Sequence, residues 1–91
     1  MKQLEAVVYG RVQGVSFRYY TKREALGLGV TGWVANQRDG TVKVVAQGSA
    51  EALGQFIEFL HHGPPMAVVD KVEANWVEPA KRFTQFSIRW L

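Results

Sequence analysis

The sequence predicts an α+β fold: a two-layer sandwich in which one mixed, mostly antiparallel sheet carries two helices on a single face. Three observations predict it. Polarity alternates with a period of two in five stretches, as in half-buried strands, and recurs at helical spacing in two others. The stretches follow the order β-α-β-β-α-β, with one further strand at the end. Residues 1–91 suffice for one core and leave no room for a second.

Leu4, Ala6, Val8, Gly10 and Val12 alternate with Glu5, Val7, Tyr9 and Arg11, which predicts a first strand. Phe17, Thr21, Ala25 and Leu28 recur at helical spacing and predict a helix over residues 17–28, with Gly29 where a left-handed C-terminal cap belongs. Val30–Asn36 reads as a second strand. Gln37-Arg38-Asp39-Gly40 reads as a turn, because Asp-Gly supplies the residues that accept positive φ. Thr41–Gln47 is a third strand, with Val42, Val44 and Ala46 on one face. Ser49 is a suitable N-cap for a second helix, with Glu51 in its first turn. Ala50, Leu53, Phe56, Ile57 and Leu60 form its apolar stripe, and Gly63-Pro64-Pro65 ends it. Val68–Val77 is a long fourth strand, and Thr84, Phe86, Ile88 and Trp90 alternate in a last one. A split βαβ order of this kind is that of a ferredoxin-like sandwich. Its first and second strands run parallel with the third between them, so their C-terminal ends share one edge of the sheet.

Composition narrows the function. With no cysteine, disulfides and thiolate metal sites are excluded, and a reducing compartment such as the cytoplasm fits. No apolar run reaches the ~18 residues of a membrane span. Met1-Lys2-Gln3-Leu4-Glu5 lacks an apolar signal core, so a cytoplasmic location without membrane attachment is expected. The net charge of +3 is spread along the chain, which suits small anions better than nucleic acid.

The most informative stretch is Gly10-Arg11-Val12-Gln13-Gly14-Val15-Ser16-Phe17-Arg18. It closes a strand, turns through a glycine and opens a helix. Such a loop can aim several backbone N–H groups at one spot, and a helix N-terminus adds partial positive charge there. Arg18 contributes a planar fork of donors matched to phosphate or carboxylate. The reading is a cradle for a small dianion, lined by Gln13, Gly14, Val15, Ser16, Phe17 and Arg18. Gln13 and Val15 are expected to shape the loop and offer N–H groups rather than side-chain chemistry. Asn36, at the end of the second strand, falls on the same sheet edge. Its carboxamide has donor and acceptor ends with which to orient a water molecule.

This stretch closely resembles one signature of the acylphosphatase family. Gly32-Trp33-Val34-Ala35-Asn36-Gln37-Arg38-Asp39-Gly40, followed by Val42 and Gly48, resembles the other. The resemblance covers nearly the whole chain. It implies a ferredoxin-like monomer that hydrolyses acyl phosphates to a carboxylate and inorganic phosphate, without a metal or other cofactor. By the same resemblance Arg18 binds phosphate and Asn36 positions the attacking water.

Plainer readings stand beside these. Arg18 could pair with Glu24, and Asn36 could be a strand-end turn residue. Gly10 inside a strand marks a bulge or a crowded contact. His61 and His62 are adjacent, so they do not share a helix face; they suit a helix C-terminus better than a metal. Trp33, Trp76 and Trp90 are expected in the core or on a sheet face. An RNA-binding module of the same element order would need stacking aromatics on the third strand, which reads Thr41-Val42-Lys43-Val44-Val45-Ala46-Gln47. A metal chaperone would need Cys-x-x-Cys, and a P-loop enzyme Gly-Lys-Ser/Thr; neither is present. A non-catalytic sensor of a phosphorylated ligand would use similar residues, and turnover separates it from an enzyme.

Overall fold

Alternation along the strands sets the layers of the protein, for which a computed structural model describes all residues, Met1–Leu91. Strand β1 (Lys2–Arg11) turns Leu4, Ala6 and Val8 inward, where each is buried. Strand β3 (Val42–Gly48) lies beside it, antiparallel, with Val42 opposite Val8, Val44 opposite Ala6 and Ala46 opposite Leu4. These alternate positions form one apolar face, and helices α1 (Phe17–Leu28) and α2 (Ala50–His62) cover it with Phe17, Ala25, Leu53, Phe56 and Leu60. Burial of such side chains is the main stabilising term, each valine, leucine and phenylalanine contributing about 1.5–3 kcal/mol.

Strand β2 (Thr31–Asn36) pairs antiparallel with β3, and β4 (Val68–Val77) antiparallel with β1. The last strand, β5 (Phe86–Trp90), pairs parallel with β2. The sheet order is β4-β1-β3-β2-β5, so β1 and β2 run parallel with β3 between them, as the split βαβ pattern requires. The parallel addition of β5 brings a third C-terminal strand end to the same edge.

The caps follow their residues. Gly29 is left-handed at φ 71°, and its N–H donates back to the last turn of α1. The Ser49 hydroxyl accepts from Ala52 N at 3.1 Å and starts α2. In the β2–β3 turn, Gln37 N donates to Thr41 O at 2.8 Å, and Gly40 adopts φ 92°. Gly10 carries both features its strand position allows: the β1–β4 register shifts there, and a Cβ would collide with the Val68 carbonyl oxygen.

One expectation is corrected. Thr84 is exposed and precedes the last strand, which starts at Phe86. Of the two places expected for Trp90, the core is excluded, since the residue is 79% exposed in β5. Position 90 is the free end of an edge strand, so nothing packs over its outer side. Trp33 does lie on the sheet face away from the helices, under the Arg89 guanidinium at 4.8 Å, and Trp76 is exposed at the β4 edge. No helix is long and apolar enough to cross a membrane.

Candidate active site

Two buried residues anchor the loop between β1 and α1. Val12 and Phe17 are each 1% exposed, and Phe17 packs against Phe59 with ring centroids 6.4 Å apart. Between these anchors Gly14 takes φ 74° and Ser16 φ 61°. A Cβ on Gly14 would meet nothing within 4 Å, so the demand for glycine there is conformational rather than steric. Ser16 is the one non-glycine residue with positive φ. The left-handed conformation costs an L-residue about 1–2 kcal/mol. A left-handed residue followed by a right-handed one turns successive N–H groups to the same side, the concavity that anions occupy.

The N–H groups from Gly14 to Arg18 find no acceptor within the chain; the first bonded helical amide is Tyr20 N, which donates to Ser16 O at 3.1 Å. Ser16 occupies the N-cap of α1 without a side-chain capping bond, and no acidic residue stands in the first turn. The positive end of the helix is therefore uncompensated by the protein itself.

Arg18 is half-buried, and its guanidinium lies 4.2 Å from the centroid of the Trp90 ring. It has no carboxylate partner: the ion pairs of the chain are Glu5–Lys43 and Lys71–Glu73, so the alternative pairing with Glu24 does not form. A ring at that distance attracts the cation without accepting its N–H groups in place of a carboxylate.

Asn36 ends β2 directly opposite Val42 and, on its other side, is in register with Trp90. Its Oδ1 is buried and has no hydrogen-bond partner in the protein. Leaving such an acceptor unpaired costs about 1–3 kcal/mol. The residue as a whole is only half-buried.

Arg18, Asn36, Gly14 and Ser16 line one cavity of about 380 Å³. Phe17 and Val12 close its inner side, and Tyr19, Ile88 and Trp90 complete the wall. Val15 instead faces a neighbouring groove that shares Gly14 and Ser16. The side chain of Gln13 turns away from the cavity: Nε2 donates to Gln37 O at 2.7 Å and to Thr41 O at 2.9 Å. These bonds tie the loop to the β2–β3 turn, and so the Arg18 side of the cavity to the Asn36 side. Asp39 stiffens that turn by accepting from Thr41 N at 3.0 Å and Thr41 Oγ1 at 2.6 Å. These bonds to the ionised form, the hydroxyl's first, hold its carboxyl below the usual range.

Sequence reasoning missed Trp90 and Tyr19 as cavity residues. The signal for Trp90 was the placement of the last strand: parallel beside β2, it puts position 90 next to position 36. Tyr19 follows Arg18 on an exposed helix turn, and no periodicity distinguishes it. His61 and His62 lie in the last turn of α2, where His62 Nδ1 donates to Glu58 O at 2.8 Å.

The chain is similar to known proteins along nearly its whole length. The acylphosphatase family model matches residues 4–88. An acylphosphatase of Salinibacter ruber is 46% identical over 88 residues, spanning 97% of this chain and 93% of its own. One from Mycolicibacterium smegmatis is 51% identical over 87 residues, spanning 96% of this chain and 89% of its own. The crystal structure of acylphosphatase from Bacillus subtilis superposes with a TM-score of 0.95 at 37% identity, covering 98% of this chain and 99% of that one.

Proposed function

The chain belongs to the acylphosphatase family and is a hydrolase of acyl phosphates, and from that premise we propose that Arg18 and the N–H groups of residues 14–18 hold the phosphoryl group while Asn36 orients the attacking water. One observation carries the assignment: an arginine without a carboxylate partner and a carboxamide with a buried unpaired oxygen line the same cavity, beside a run of N–H groups without acceptors.

The chemistry asks little more of the protein. The acyl–phosphate bond is already activated, because its leaving group is a carboxylate. Water oxygen forms the new bond to phosphorus as the bond from phosphorus to the acyl oxygen breaks. The carboxylate leaves with the bonding electrons, and the water's protons pass to phosphate or carboxylate oxygens. The protein must position the groups in line and stabilise charge on the equatorial oxygens. Arg18 and the amides supply fixed positive charge and dipoles for the oxygens. Asn36 is a poor base, so its part is placement: it accepts from the water or donates to it, and removes no proton. Since activation lies in the substrate, the reading needs no metal. Phosphate monoesters are poor substrates, because an alkoxide leaving group requires an acid that the cavity lacks.

The experiment is a substrate panel on purified protein and its Arg18→Ala variant: benzoyl phosphate against an alkyl monoester, glycerol 2-phosphate, with and without chelator. Benzoyl phosphate should turn over, the monoester should not, and chelation should change nothing. Arg18→Ala should lose at least ~10²–10³ in kcat/KM, by analogy with removing one oxyanion donor. Full activity in that variant would end the assignment of Arg18, and loss of activity on chelation would mean that a metal takes part.

A further inference from the structure

We infer that Trp90 and Tyr19 form an acyl-binding rim, which makes this site discriminate in favour of acyl phosphates whose acyl group is flat and apolar over those with a short one. The inference rests on the reading above, in which phosphate sits at Arg18.

Exposure orders the cavity by depth. The inner side is closed by Val12 and Phe17, each 1% exposed. Asn36 and Arg18 are both half-buried above them. At the mouth stand Tyr19, 58% exposed, and Trp90, 79% exposed. In-line displacement puts the attacking water and the departing oxygen on opposite sides of phosphorus. With the phosphoryl group held at Arg18 and the inner side closed by buried side chains, the acyl group must point to the mouth, where these rings stand on the wall. Ile88, two residues before Trp90 and on the same face of β5, extends the apolar surface inward.

Both rings are exposed at no evident structural gain. Tyr19 touches its neighbour Tyr20 edge-on with centroids 5.4 Å apart. Trp90 packs against the Arg18 guanidinium at 4.2 Å. An aromatic or long apolar acyl group would bury part of these two faces, which an acetyl group is too small to reach.

Stacking on Arg18 alone would equally explain Trp90, so the test must separate the two roles. Benzoyl and acetyl phosphate are compared as kcat/KM in the wild type, Tyr19→Ala, Trp90→Ala and Trp90→Phe, with competitive inhibition by inorganic phosphate measured alongside. The phosphate constant reports Arg18 and the amides without an acyl group. The wild type should favour benzoyl phosphate. Tyr19→Ala and Trp90→Ala should each lower the benzoyl-to-acetyl ratio about three- to tenfold, and Trp90→Phe should retain most of it. Inhibition by phosphate should stay within about twofold in Tyr19→Ala. A ratio unchanged in both alanine variants overturns the proposal. So does a Trp90→Ala variant in which both substrates and phosphate weaken together while Tyr19→Ala is silent, since Trp90 would then only hold Arg18. Failure of the underlying reading looks different: Arg18→Ala would leave both substrates and phosphate inhibition intact. Both rim residues are too exposed for their truncation to unfold the protein, and a thermal melt of each variant confirms it.

Discussion

Gln13 donates from Nε2 to the carbonyl oxygen of Thr41 at 2.9 Å, across 28 positions of sequence, and so joins the loop that carries the N–H groups to the turn that follows Asn36. The same nitrogen donates to Gln37 O at 2.7 Å. The two halves of the cavity thus share a single brace, set by a side chain that points away from it.

Gln13→Ala should therefore cost activity without removing any group from the cavity. Neither carbonyl would be orphaned, since Thr41 O still accepts from Gln37 N at 2.8 Å and Gln37 O from Gly40 N at 3.2 Å. The stability loss should stay near ~1–2 kcal/mol. The drop in kcat/KM for benzoyl phosphate should reach about ten- to a hundredfold, because small misplacements of positioning groups are expensive in rate. Melting and steady-state kinetics on one preparation check both numbers. Wild-type kinetics with a lowered melting point would show that the brace is structural alone.

That brace marks a boundary of what the sequence discloses. The helix over residues 17–28, the strand over 68–77, the cap at Gly29 and the turn at Gly40 are all legible, because each follows from local spacing or from a backbone conformation that glycine accepts. The pairing of Arg18 with Asn36 on one cavity is legible too, once split βαβ topology makes two strand ends neighbours. The edge on which β5 adds is not, since its short alternating pattern fits either side of the sheet. Without that placement Trp90 reads only as a core or sheet-face aromatic. The bonds of Gln13 are tertiary facts, and no spacing within the chain announces them.

Asn36→Leu should make the protein more stable and less active at once. The substitution keeps the branching at Cγ and removes an acceptor that is buried without a partner. A gain of about 1–2 kcal/mol is expected, read as a rise in melting temperature of several degrees. Turnover should fall roughly a hundredfold while KM changes little, as expected of a group that places water after the substrate is bound. A stability–activity trade of this sign is common where a polar group is retained for chemistry. A fall in melting temperature would mean that Asn36 holds the strand end together. A collapse of phosphate inhibition with turnover per bound substrate intact would make it a binding residue.

Two glycines on different elements should respond to alanine with opposite signs. Gly32, in β2, sits at φ 137°, and a Cβ there would run into the carbonyl oxygen of Val45 on the neighbouring strand. Gly32→Ala must strain the backbone or part the strands, and should cost roughly 3 kcal/mol or more. Gly54 lies inside α2, where a Cβ would meet nothing within 4 Å. Gly54→Ala should stabilise by about 0.5–1 kcal/mol through helix propensity and a less flexible unfolded chain. Urea titrations of both variants decide the matter. A harmless Gly32→Ala would show that β2 and β3 can separate at that point without consequence.

The acid limb of stability should depend on Asp39. Its carboxylate accepts from the hydroxyl and the backbone N–H of Thr41, the hydroxyl bond being the stronger influence, and its pKa falls below the usual 3.8. A carboxyl whose pKa is lower folded than unfolded binds protons more readily once unfolded. It therefore adds stability above the unfolded value, and that increment disappears as pH falls through the folded value. Asp39→Asn keeps an acceptor for Thr41 and removes the titration. The difference in unfolding free energy between pH 6 and pH 2.5 should thus be smaller in the variant than in the wild type. Glu73, lowered chiefly by the Tyr9 hydroxyl and also by Lys71, has the same sign. Acid sensitivity should therefore shrink in Asp39→Asn without vanishing, and should shrink further in Asp39→Asn/Glu73→Gln. Parallel pH curves for wild type and Asp39→Asn, measured by chemical denaturation, would show that the turn's bonds to Thr41 do not favour the ionised carboxylate.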